Sequence, residues 1–87
     1  MRKEIEVNKI NLKVFYAKEK DYSKINSLLN AMEEENIILS WNIDHNNEYD
    51  ISYLDHNNKD FILDTIESNK KLGFKMISYK EKGILNY

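Results

Sequence analysis

Apolar residues change their spacing along this chain in an order that few folds satisfy. From Lys9 to Tyr16, Ile10, Leu12, Val14 and Tyr16 alternate with Lys9, Asn11, Lys13 and Phe15, the period-two pattern of a strand with one buried face. Asp21 then reads as the N-cap of a helix. Its Tyr22, Ile25, Leu28, Leu29 and Met32 recur at helical spacing up to a stop at Glu33-Glu34-Glu35-Asn36. Period two returns at Ile37, Leu39, Trp41 and Ile43, and again at Tyr49, Ile51 and Tyr53, which predicts a β-hairpin. A second helix opens with Asn57 as N-cap and Asp60 in capping-box position, and carries an inward stripe of Phe61, Ile62, Thr65, Ile66 and Leu72. Lys70 and Lys71 suit the negative end of its dipole, and Gly73 is the expected left-handed stop before a last strand, Phe74 to Lys80.

Strand, helix, strand, strand, helix, strand is the order of the split βαβ, or ferredoxin-like, arrangement. The expectation is a single α+β domain over residues 1–87, with a four-stranded antiparallel sheet and both helices on one face. Ile5 and Val7 alternate in the opposite phase to Ile10 and Leu12. That predicts a bulge or tight turn at Asn8-Lys9 and a short extra N-terminal strand. Gly83, Ile84 and Leu85 offer another short strand at the C-terminus.

Composition removes several kinds of chemistry. At 41% hydrophobic and 32% charged, the chain is able to bury one core. It contains no cysteine, which excludes a disulfide framework, a thiolate metal site and a cysteine nucleophile. Its two glycines form no phosphate-cradling loop, and no serine sits in a nucleophile-elbow context, so an enzyme is not expected. No apolar run approaches the ~20 residues of a membrane helix, and Met1-Arg2-Lys3-Glu4 does not lead into a signal peptide's apolar stretch, so the expected location is cytoplasmic. A formal charge of −2, with Arg2 the one arginine, gives no net attraction for nucleic acid or an anionic membrane. The RNA-recognition motif shares this element order, but the third strand would offer Asp50 and Ser52 to a base, a poor stacking surface.

Both histidines lie in a repeated tetrapeptide, Asp44-His45-Asn46-Asn47 and Asp55-His56-Asn57-Asn58. Such a pair suggests metal ligation. The intervening strand, however, should hold the copies ~20–25 Å apart, far beyond the ~2 Å reach of histidine ligation. Turn and cap chemistry accounts for each copy separately, because Asp and Asn make Asx turns and tolerate left-handed backbone. No metal and no cofactor is expected.

The same topology brings the end of the first helix to the second copy, so Glu33, Glu34, Glu35, Asp55, His56 and Asp60 are the expected acidic contact surface. Three glutamates at a helix C-terminus oppose the macrodipole, a local rule broken most often where function requires it. Ile38, Phe15 and Leu54, on the open sheet face, are the expected apolar contacts, and the edge strand 37–43 offers a route to a homodimer. The expected function is therefore a small protein-binding module whose partner is another protein, such as a basic nucleic-acid-binding enzyme. An accessory protein of a phage or mobile element that inhibits a host defence nuclease would fit, given an abundance of Ile, Lys, Asn and Tyr, whose codons are AT-rich, the absence of proline, and an acidic end. The alternatives are a dimeric small-molecule-sensing domain and, less favoured, an RNA-binding module.

Overall fold

The computed structural model describes residues 2–68 and 73–86, with side-chain surroundings for 4–68 and 73–83. Its elements are β1 (Arg2–Phe15), α1 (Glu19–Glu34), β2 (Ser40–Ile43), β3 (Glu48–Tyr53), a 3-10 turn (His56–Asn58), α2 (Lys59–Glu67) and β4 (Gly73–Asn86). The strands form one antiparallel sheet in the order β2-β3-β1-β4. Strand alternation selects the core: Ile10, Leu12 and Val14 of β1 lie on the same face as Tyr49, Ile51 and Tyr53 of β3, and all are buried. Onto that face α1 sends Ile25, Leu29 and Met32, and α2 sends Ile62 and Ile66. Burying each of these aliphatic side chains is worth about 1.5–3 kcal/mol, so this one layer carries most of the driving force.

An aromatic layer ties α1 to the hairpin. The Tyr49 ring is fully buried between Tyr22, at 6.5 Å, and Trp41, at 6.1 Å. Its hydroxyl donates to Asn26 Oδ1 at 2.7 Å, and one helical turn further on the Trp41 indole N–H donates to Asn30 Oδ1 at 3.1 Å. Burial, with a smaller contribution from Tyr22, pushes the Tyr49 hydroxyl up to about 12.

Helix ends follow local chemistry, with shifts from the expected caps. α1 begins at Glu19, and Asp21 sits inside its first turn, where its carboxylate accepts the Lys18 amide at 2.9 Å. At the other end Asn36 adopts φ 61°, while the Asn36 amide donates to Glu33 O and the Ile37 amide to Met32 O, the paired bonds of a Schellman stop. Asp55, not Asn57, caps the 3-10 turn that opens α2, and Phe61 is exposed because the inward stripe is narrower than expected, running through Ile62 and Ile66. Gly73 is not a left-handed stop: it starts β4 opposite Phe15 with no positive φ. Lys70, Lys71 and Leu72 lie outside the described residues.

The expected bulge at Asn8-Lys9 is absent. β1 and β4 keep one register from Arg2↔Asn86 to Phe15↔Gly73, so the phase change reflects a change in which face is apolar. Asn8 occupies a helix-side position and donates its side-chain amide to Leu54 O at 3.0 Å. Ile5 and Val7 fall on the helix-free face, where Gly83 makes room: a Cβ there would sit 3.0 Å from Val7 Cγ2. The two expected extra strands are thus extensions of β1 and β4. Of β1, Asn8 to Lys13 pair with β3, leaving Arg2 to Val7 and Glu81 to Asn86 as a two-stranded ribbon roughly 20 Å long. Its helix-side face carries a charge ladder, Lys80 to Glu6 at 3.1 Å and Lys82 to Glu4 at 3.4 Å.

One backbone site stores strain. Tyr16, after β1, holds φ 63° while its side chain is 90% exposed, so little packing offsets the left-handed penalty. Tyr16→Gly is expected to raise stability by about 0.5–1 kcal/mol. An unchanged urea midpoint would show that the strain is relieved another way.

Candidate partner-binding surface

The repeated tetrapeptide builds the same turn twice and leaves it differently. In the first copy Asp44 Oδ1 accepts the Asn46 amide at 2.8 Å, and the Asn47 amide donates to Asp44 O at 3.1 Å. In the second, Asp55 Oδ1 accepts the Asn57 amide at 2.9 Å, and the Asn58 amide donates to Asp55 O at 3.0 Å. Asn47 then turns left-handed, with φ 61°, and feeds β3, whereas Asn58 stays right-handed and feeds α2. The amides of Glu48 and Asn46 hold the Asp44 carboxyl below its ordinary range, helped weakly by His45 and Lys13. β3 separates the copies, as the sequence predicts. Among the described residues, no three of His, Cys, Asp and Glu converge as a metal site.

The second copy is tied to the end of α1. Asn58 Nδ2 donates to Ile37 O at 3.2 Å, drawing the Schellman stop and the 3-10 turn together. Between them lies a shallow hollow of about 190 Å³, lined by Glu33, Asn36, Ile38, Leu39, Leu54 and Asp55. Leu39 and Leu54 are 48% and 49% exposed, two large apolar side chains between two carboxylates. Glu34 and Glu35 are exposed on the adjoining last turn and C-cap, with no basic residue in that turn.

The other expected contact residues separate. His56 faces a different hollow of about 110 Å³, on the β4 side, shared with Asn8, Tyr53 and the basic residues Lys59 and Lys80. Asp60 is exposed in the first turn of α2, where its charge suits the helix dipole. Phe15 lies seven residues beyond Asn8 on β1, roughly 23 Å away at the opposite end of the sheet, with Lys13 Nζ 5.7 Å from its ring centroid. Ile38 is not an open-face residue: it is 2% exposed and belongs to the core. The Met32 carbonyl accepts both the Ile37 and the Ile38 amide, which holds these residues in a loop and delays β2 until Ser40. Ile38 therefore turns inward and Leu39 outward, the reverse of the expected alternation. The signal for Leu39 was a helix stop immediately before it, which makes strand phase undefined until the first ladder bond, Leu39 amide to Ser52 O at 2.7 Å.

No protein-family model matches the chain, and no curated protein shows significant similarity to it. Among the described residues, no helix is long and apolar enough to cross a membrane.

Proposed function

We propose that the chain is a non-enzymatic protein-binding module whose working surface is the hollow between the α1 stop and the second Asp-His-Asn-Asn turn. The observation that carries this reading is the pairing of Glu33 and Asp55, from separate elements, around exposed Leu39 and Leu54. A small apolar centre with a charged rim is the arrangement that gives affinity from desolvated contacts and selectivity from charge. Its complement is a partner segment with an apolar side chain flanked by lysine or arginine. A basic nucleic-acid-binding enzyme would present such segments, and an inhibitor of a host nuclease is the narrower form of the proposal. The sheet order and paired helices support the split βαβ, ferredoxin-like arrangement as its scaffold.

Quantitative capture of host proteins on immobilised wild type, Leu39→Asp/Leu54→Asp and Glu33→Lys/Asp55→Lys tests this. A protein retained at least about tenfold better by wild type than by both variants, each folded by circular dichroism, is the expected result. Equal retention on all three would overturn the reading. A second reading, a dimeric small-molecule-sensing domain, is favoured by the hollow of about 300 Å³ on the helix-free face, lined by Asn11, Lys13, Phe15, Glu48, Lys75 and Ile77. Ligand-dependent thermal stabilisation lost on Lys13→Ala would select it.

A further inference from the structure

β4 is an edge strand of fourteen residues whose one neighbour among the described strands is β1, and residues 75 to 82 are exposed on both of its faces. Met76, Ile77 and Tyr79 are 36%, 56% and 44% exposed. Edges are commonly blunted by proline, a bulge, short length or charge; β4 lacks the first three over its described residues and carries charge only as Lys75, Lys80, Glu81 and Lys82, which flank an uncharged Met76–Tyr79 stretch. β2, the opposite edge, spans only Ser40–Ile43.

We propose that β4 pairs with β4 of a second copy of this chain, antiparallel and centred on Ser78, joining the two sheets into one. A two-fold axis perpendicular to the sheet keeps each face continuous, so residues of like facing must oppose one another. That condition leaves only alternate registers, and charge separates them. Centring on Ser78 places Ile77 opposite Tyr79 of the second copy and Lys75 opposite Glu81, and the symmetry makes each pair twice; Glu81 already lies 4.0 Å from Lys9 of its own chain, so Lys75 adds a second cation to it. On the helix side Met76 falls opposite Lys80 and Phe74 opposite Lys82, long side chains whose stems cover the apolar neighbour while the charge reaches water. Centring on Tyr79 sets Ile77 against Glu81, and centring on Lys80 or Glu81 sets like charges against themselves, an arrangement that destabilises antiparallel pairs. Centring on Ile77 brings Lys75 against Tyr79 and leaves Glu81 opposite Gly73, with no ion pair. The strand is thus self-complementary in one register. This inference is independent of the hollow beside α1, which lies at the other side of the fold.

The chain has no cysteine, so single substitutions report the register without background. Ser78→Cys is expected to cross-link to itself under mild oxidation about tenfold faster than Asn42→Cys on β2, and Met76→Cys mixed with Lys80→Cys is expected to cross-link faster than either alone. By sedimentation, Lys75→Glu and Glu81→Lys should each weaken the dimer about tenfold, and the double swap should restore it to within about threefold by rebuilding both ion pairs with reversed sign. Either single variant that unfolds is replaced by Lys75→Gln or Glu81→Gln, for which the same direction holds. A wild-type monomer at millimolar concentration, cross-linking at Ser78→Cys no faster than at Asn42→Cys, or a double swap as weak as the singles would each overturn the proposal. So would β4 protection from hydrogen exchange that appears only with a different protein present.

Discussion

Tyr49→Ala is expected to cost about 3–5 kcal/mol, the range for removing a large buried aromatic ring. The ring is fully buried, touches the layers contributed by Tyr22 and Trp41, and anchors α1 through Asn26. A domain of this length has a total stability of roughly 4–13 kcal/mol, so the variant should be largely unfolded only if the wild type lies at the bottom of that range, near 4–5 kcal/mol. Tyr49→Phe separates the two contributions. It keeps the ring and deletes one hydrogen bond, so about 1 kcal/mol is expected, since Asn26 is only half-buried and regains water. Urea denaturation of the two variants measures the split. A Tyr49→Phe loss as large as that of Tyr49→Ala would place the energy in the Asn26 contact instead of the ring.

Alkaline pH should produce the second large effect. The Tyr49 hydroxyl is raised from 10.0 to about 12 in the folded chain, chiefly by burial. A group whose folded value lies above its unfolded value contributes stability that is complete below the unfolded value and lost as pH rises through the folded one. At about 1.4 kcal/mol per unit, roughly 2–3 kcal/mol disappears between pH 10 and 12. Burial also raises Tyr53, so it adds loss in the same direction. Other groups titrate in this window, and the comparison that isolates Tyr49 is wild type against Tyr49→Phe: their stability difference should shrink and reverse sign as pH rises. A difference that stays constant from pH 9 to 12 would show that Tyr49 does not govern alkaline unfolding.

Much of this fold is legible locally. Alternation from Ile10 to Val14 and from Tyr49 to Tyr53 names the core face, and the stop at Asn36 and both Asp-led turns follow from side-chain chemistry within a few residues. Local alternation fails in two places. At Ile5 and Val7 the phase switches without a bulge, because the ribbon has passed beyond the helices and its apolar side lies opposite. At Ile38, helix-end hydrogen bonds to Met32, invisible in a period-two pattern, override strand phase over three residues. The charge ladder of Glu4 and Glu6 with Lys80 and Lys82 was present in the sequence, but only an antiparallel register that sums residue numbers to 88 makes it readable.

For the candidate surface, the sequence by itself determined that Glu33 and Asp55 end neighbouring elements and that the two histidines sit apart on turns. Only the tertiary structure decided that Leu39 and Leu54 open between those carboxylates, that His56 faces β4 with Lys59 and Lys80, and that Phe15 belongs to the other end of the sheet. The physical reason is range. Hydrogen-bonded turns and side-chain periodicity act over about four residues, whereas the meeting of distant side chains depends on strand length and register, which are set by the whole sheet at once.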